Sequence, residues 1–297
     1  MMQAFLVMTK DINEELLNLI RALDSPKHVI FVHVDKKTGD FDKESVIKNS
    51  IHSDIVFVPR IDVTWGGFSQ VRAELSLMKV ANSYGTFGHF HLLSGEDFPV
   101  KSNNQLDTFF EEHPNNNFLE ISQRIPNQNK DRFKLRYEQY HLLQDKFIGR
   151  KHNVFKYIDF ASCYLQRYLG VNRTRHINIQ SGANWFSLNQ DLLSYIIDNE
   201  KWITKYFKNT YCPDESFIQT LIAETSFVKT LYKEGKENLR FVDFYWKAKH
   251  NLTPRYLKLD DISLLDDKSY FFARKFNIEV SDVFLKKLKI LENYYEK

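Results

Sequence analysis

A chain of 297 residues, 43% hydrophobic and 15% aromatic, can bury a substantial core, and its length fits one large domain or two small ones. Its 41 Lys and Arg against 38 Asp and Glu leave a net charge of +3 without charged blocks, which excludes the electrostatic footprint of a nucleic-acid binder. The first residues lack a signal peptide's basic leader, no run approaches the roughly 18 apolar residues that span a bilayer, and two cysteines without a CxxC pair give neither a disulfide framework nor a zinc motif. A soluble, cytoplasmic protein is expected.

From the N-terminus, "QAFLVMT" reads as a strand, "DINEELLNLIRAL" as a helix opened by Asp11 with Glu14 in the capping-box position, and "HVIFVHVD" as a second strand. Then come a short strand "DIVFVP", a helix "FSQVRAELSLMKVANSY" and a strand "HFHLLS". This order predicts an α/β layer with a largely parallel sheet, in which ligands sit beyond the carboxyl ends of the strands. Thr9 and Lys10, Asp35 to Lys37, and Ser94 to Asp97 leave those ends.

From about Asn115 the sequence turns polar and turn-rich, and Arg150 to His176 is aromatic and basic. Regular structure resumes with "SGANWFSL", read as a strand, and one helix "NQDLLSYIIDNEKWITKYF". With no repeat, low-complexity tract or Gly/Ser linker, residues 1–297 are read as a single compact domain.

Four features could carry chemistry. In "NTYCPDESFIQTLIAE", Asp214 and Glu215 follow Pro213 at the head of an apolar run. First-turn acids after a proline are commonly caps, yet a helix mouth also suits an ionised general base. In the tail, Arg255 follows a proline, and Arg274 and Lys275 sit among Phe271, Phe272, Ala273 and Phe276. They read as a solvated basic pair or as cations able to grip a phosphate. "DFD" at Asp40 to Asp42 matches an Asp-x-Asp metal pair in letters but is positioned to cap the next helix, and Glu96 with Asp97 are adjacent rather than spaced, so the metal signal is weak and a metal site on either pair stays the lesser reading. P-loop, GxGxxG, GxSxG and HExxH motifs are missing from the sequence.

Taken together, "FVHVDKK", "TWGGFSQVRAELSLMKVA", "HLLSGEDFPVKS", "SGANWFSL", "YCPDESFIQTLI" and "FFARKFN", in order from Phe5 to Asn277, resemble the core-2/I-branching β-1,6-N-acetylglucosaminyltransferase family, which includes the peptide O-xylosyltransferases. The resemblance implies a glycosyltransferase A-type, Rossmann-like fold with a mixed, largely parallel sheet. It implies inverting transfer from a UDP-sugar to an acceptor hydroxyl without a metal ion or other cofactor. N-acetylglucosamine is the expected sugar, with the pentose xylose or a different hexose, or a non-catalytic nucleotide- or carbohydrate-binding protein, as alternatives.

Carried over residue by residue, the family's base falls on Glu215 of "PDE", supported by Asp214, and its diphosphate-binding cations fall on Arg255 and Lys275. Asp35 is expected near the nucleotide, with Val7 on the uracil side; Asp97, Trp185 and Arg274 are supporting residues. Glu120, Lys130 and Arg132, with Trp246 stacking on a sugar face, are candidate acceptor contacts. On this reading residues 1–114 bind the nucleotide-sugar, 115–250 carry the acceptor and the catalysis, and 251–297 hold the diphosphate. The absence of a stem and of most cysteines suggests a bacterial enzyme of surface-polysaccharide synthesis. Its acceptor would be an oligosaccharide or lipid-linked glycan. The segment Arg150 to His176 would either rest on the inner face of the cell membrane or pack over the acceptor cleft as a helical insert.

Overall fold

A computed structural model of the protein describes residues 1–122, 135–234, 237–244, 253–266 and 269–295. The chain opens with β1 (Gln3–Thr9), α1 (Glu14–Ala22) and β2 (His28–Val34). All of β2 is buried, as expected of a parallel strand covered on both faces. Asn13, in extended conformation, caps α1 by accepting from Leu16 N at 3.1 Å. The expected cap, Asp11, instead closes the turn leaving β1, where its carbonyl accepts from Thr9 Oγ1 at 2.7 Å.

Then follow α2 (Lys43–Ile47), capped by Asp42, β3 (Asp54–Phe57), α3 (Phe68–Tyr84), β4 (His89–Ser94), β5 (Asp97–Pro99) and α4 (Asn103–Glu112). Beyond them lie α5 (Val154–Tyr168), β6 (Ser187–Asn189), α6 (Gln190–Asp198), α7 (Glu200–Phe207), α8 (Phe217–Ile222), β7 (Arg240–Val242), β8 (Phe272–Arg274) and α9 (Ile278–Tyr295). The helix expected over 189–207 is two helices. Asn199 ends the first through its N–H and Nδ2 to Tyr195 O, at 3.2 and 2.8 Å, and its carbonyl starts the second by accepting from Ile203 N at 3.0 Å. Of "SGANWFSL", only the last two residues join a strand.

The central sheet has the order β3-β2-β1-β4-β6, parallel except for β6, which runs antiparallel to β4. It is the mixed, largely parallel sheet that the sequence predicts. Because strand side chains alternate, Phe5 and Val7 face a core closed by α1 and α9, while Ala4 and Leu6 face one closed by α3, α6 and α8. Each fully buried Leu, Val or Phe contributes about 1.5–3 kcal/mol, so the two layers fix the sheet firmly. A second sheet, β5-β8-β7, pairs Asp97 with Arg274 in antiparallel register and Val242 with Arg274 in parallel register. Residues far apart in sequence thus meet beside the carboxyl ends of β1, β2 and β4. Strand order reverses between β1 and β4, the position where such sheets open a ligand crevice. Gly95 lies there because a Cβ would stand 2.8 Å from Thr9 Oγ1. Among the described residues no helix is long and apolar enough to cross a membrane.

Candidate active site

Pro213 to Glu215 forms one 3-10 turn, and α8 begins only at Phe217; neither turn carries a side-chain cap. Both acids stand in the first turn after Pro213, as the structural reading has it, but neither makes a capping hydrogen bond. Cys212 takes a left-handed conformation (φ 48°), donates from its N–H to Gly66 O at 2.8 Å, and so turns the chain toward "TWGGF". The glycines of that motif permit the approach. A Cβ on Gly66 would lie 3.1 Å from Cys212 Sγ, and one on Gly67 would lie 2.9 Å from the Asp145 Cα.

The two neighbouring acids end in different surroundings. Glu215 is 46% exposed in its side chain and pairs through Oε2 with Arg136 Nη2 at 2.7 Å. Arg136 also donates from Nε to Tyr211 O at 2.8 Å, tying the carboxylate to the loop that presents it. Asp214 is buried, accepts from Gln70 Nε2 at 3.3 Å, and has its carboxyl pushed up to about 7 by burial and by the charge of Glu215. One turn along α3 from Gln70, Glu74 has no exposed surface, and burial, with Asp214 second, raises its carboxyl well above the ordinary value. Burial thus favours the protonated form of Glu74, and the exposed Glu215 carboxylate neighbours a buried carboxyl, Asp214, whose charge in turn acts on Glu74.

Glu74 gives a pH-dependent expectation. Its folded-state affinity for a proton exceeds its unfolded one, so its contribution is most favourable in acid and declines as pH rises above the ordinary value of 4.5. Glu74→Gln keeps the shape and removes the ionisation. Melting scans should find variant and wild type together near pH 4, with the variant higher by at least about 3 °C at pH 8, since a domain of this size moves about 2–4 °C per kcal/mol. A gap independent of pH would show that Glu74 is not the titrating group.

The predicted cations assemble at the carboxyl edge of the sheet. Lys275 N donates to Arg255 O at 3.5 Å, Leu257 N to Lys275 O at 2.8 Å, and Phe276 N to Glu96 O at 2.9 Å, so Arg255 and Lys275 become neighbours beside the end of β4. Their heads are ion-paired. Arg255 forks onto both oxygens of Asp261 at 2.6 and 2.8 Å and reaches Asp243 at 2.7 Å. Lys275 Nζ lies 2.7 Å from Glu96, which also accepts from the Tyr256 hydroxyl. Burial raises the Glu96 carboxyl, but Lys275 and Tyr256 outweigh it and hold it below the ordinary value. Arg274 stacks over the Trp185 ring at 4.2 Å, with its Nε 3.4 Å from Asp97. The expected apolar frame is different in kind. Phe271, Phe272 and Phe276 point into the core because β8 is buried along its length, and the cations meet carboxylates and the rings of Trp185 and Tyr256.

Asp35 leaves β2 at the same edge, where it accepts from Lys37 N at 3.0 Å and its side chain is 13% exposed. Val7 is fully buried in the core below and presents no surface to a ligand in this conformation. Glu120 accepts from Ser122 Oγ at 3.2 Å and Asn238 Nδ2 at 3.4 Å. "SGANW" joins the parts. Gly182 N donates to Glu215 O at 2.9 Å, a Cβ on Gly182 would sit 1.9 Å from Glu120 O, and Trp185 lies under Arg274. Lys130, Arg132 and Trp246 lie outside the described residues. Asp42 is the α2 cap, accepting from Glu44 N at 2.9 Å, and Asp40 is exposed.

Sequence reasoning misses Gln70, Glu74 and Arg136. Glu74 does leave a signal, since it falls on the apolar stripe of Val71, Leu75 and Met78, where a carboxyl is out of place. Nothing distinguishes Arg136 from the neighbouring Lys and Arg in the sequence.

A family model described as Branch: Core-2/I-Branching enzyme matches residues 3–266. The chain is similar to xylosyltransferase 2 of Rattus norvegicus, at 25% identity over 288 residues, covering 90% of this chain and 31% of that protein. It is similar to xylosyltransferase oxt of Drosophila melanogaster, at 25% over 295 residues, covering 91% and 31%. The chain spans about a third of the length of these curated relatives. Among solved structures, the apo form of mouse xyloside xylosyltransferase 1 overlays with a TM-score of 0.44 at 8% identity, over 91% of this chain and 97% of that one.

Proposed function

The chain belongs to the Core-2/I-branching enzyme family, and on that premise we propose that it is an inverting glycosyltransferase moving a sugar from a UDP-sugar to an acceptor hydroxyl. Glu215 takes the acceptor's proton as the oxygen bonds to the anomeric carbon, the bond from that carbon to the diphosphate breaks, and UDP leaves. The observation that carries the reading is the Glu215 carboxylate itself. It is half-exposed, makes no capping hydrogen bond, and is oriented through one oxygen by Arg136.

Arg255 and Lys275 are proposed to receive the diphosphate. Three cations, Arg255, Arg274 and Lys275, face the four acids Asp243, Asp261, Glu96 and Asp97, so donor binding exchanges carboxylate partners for phosphate oxygens. The acids at the strand end are engaged by cations and by a backbone N–H, Ser94 N to Asp97 at 2.6 Å, which supports transfer without a metal ion. Xylose fits the donor at least as well as N-acetylglucosamine, because the curated relatives named above are xylosyltransferases. The acceptor is proposed to be a glycan or protein hydroxyl.

A panel of UDP-sugars tests this reading. UDP-xylose at 100 times its Kd should stabilise the fold by about 2.7 kcal/mol, and release of UDP in the presence of acceptor should persist in excess EDTA. Protection by UDP-N-acetylglucosamine alone would move the donor assignment. No protection by any UDP-sugar would remove the function.

A further inference from the structure

Helix α5 (Val154–Tyr168) is packed the reverse way from an ordinary surface helix. Its protein-facing stripe is polar. Asp159 is 6% exposed and pairs with His141 Nδ1 at 2.8 Å, Leu143 N donates to the other Asp159 oxygen at 3.3 Å, and Gln166 donates to Tyr140 O at 3.0 Å. Burial disfavours the charged form of the His141 ring, but Asp159 and Cys163 outweigh it and raise the ring to about 9, which strengthens this polar anchor.

The opposite face is apolar and open. At 100° per residue, Val154, Tyr157, Ile158, Tyr164, Leu165 and Tyr168 fall on the arc facing away from Asp159 and Cys163, with exposures of 62, 70, 50, 50, 59 and 85%. Residues of this kind would ordinarily be buried, and an exposed patch rimmed by charge marks an interaction surface.

The charge around the face selects its occupant. Between Arg150 and His176, Asp159 is the one acid, and it is buried against His141. Arg150, Lys151, Lys156, Arg167 and Arg175 are all exposed, with Lys156 and Arg167 on one side of the helix, between Cys163 and the apolar arc. A second copy docking symmetrically on this face would bring like charges together. Exposed tyrosines and branched aliphatics bordered by Lys and Arg instead match a helix lying in a lipid interface, with cations reaching the headgroups.

We propose that α5 seats the protein on an anionic phospholipid surface, with Tyr157, Ile158, Leu165 and Tyr168 entering the headgroup region and Lys156 and Arg167 contacting lipid phosphates. This stands independently of the transfer reading. The seat is nonetheless connected to the Glu215 turn, because His141 N donates to Asn209 O at 2.8 Å at the base of that loop.

Sedimentation of the full chain with vesicles decides it. The wild type should sediment with phosphatidylglycerol–phosphatidylcholine vesicles and stay largely in solution with phosphatidylcholine alone, and binding should weaken with added salt. Tyr157→Ser with Leu165→Ser should bind at least about tenfold more weakly without a change in melting temperature, both side chains being exposed. Lys156→Glu with Arg167→Glu should remove the preference for phosphatidylglycerol. Failure of the wild type to sediment with the anionic vesicles, or equal binding by the apolar variant, would overturn the proposal. So would light scattering that finds a wild-type dimer converted to monomer by the apolar variant, which would assign the face to a second copy.

Discussion

Glu215→Gln should lower transfer by about 10²–10⁴-fold while the affinity for UDP stays within about twofold, because the substitution removes the proton acceptor and leaves the shape of the turn unchanged. The pair of measurements is needed. Glu215 is held by Arg136 at 2.7 Å, and Arg136 also supports the loop through Tyr211 O, so a variant that disturbed the loop would change stability and UDP binding together. The amide that replaces the carboxylate keeps an oxygen for Arg136, so loop geometry and melting temperature should be retained. Retained transfer would place the base elsewhere. Asp214 is the neighbour to consider first, but it is buried and one of its oxygens is engaged by Gln70, which denies it the access an acceptor hydroxyl needs. A wild type that binds UDP-sugar without transferring it would support the non-catalytic alternative.

How much of this is legible in the sequence depends on where a residue's partners come from. β1, α3 and β4 are legible because each is long, apolar and periodic, and tertiary packing reinforces what local pattern prefers. The break at Asn199 is hidden, since a polar residue on one helix and a residue joining two helices look the same until the second helix turns away. At the site, the turn over Pro213 to Glu215 reads equally as a cap or as chemistry. Only the arrival of Arg136 from one side and Gln70 and Glu74 from another separates the two readings. The partners of Arg255 are hidden for the same reason, because Asp243 and Asp261 are ordinary surface acids until β7 and the turn after Leu259 bring them within 3 Å of the guanidinium. Resemblance to a family supplies a residue's role without its local electrostatics. Here those electrostatics differ from a simple cationic cradle, since each cation already has an acid beside it.

That pairing sets the terms of the second large effect, expected at Lys275. Lys275→Met should reduce transfer by about 10²–10³-fold, the scale on which one preorganised charge stabilises a developing anion, here the departing diphosphate. The single variant would also lower stability, because Glu96, 27% exposed in its side chain and 2.7 Å from the ammonium, is left with a partly buried charge answered chiefly by Tyr256. Loss of activity alone would therefore be ambiguous. Lys275→Met combined with Glu96→Gln resolves it, since the double variant removes both charges and should regain most of the lost melting temperature. If Lys275 serves the diphosphate, transfer stays depressed in the double variant although the fold has recovered, and UDP protection against unfolding stays weak. If Lys275 is only the structural partner of Glu96, transfer returns with stability, and the electrostatic role moves to Arg255, whose two aspartates would then be the carboxylates that a phosphate must displace.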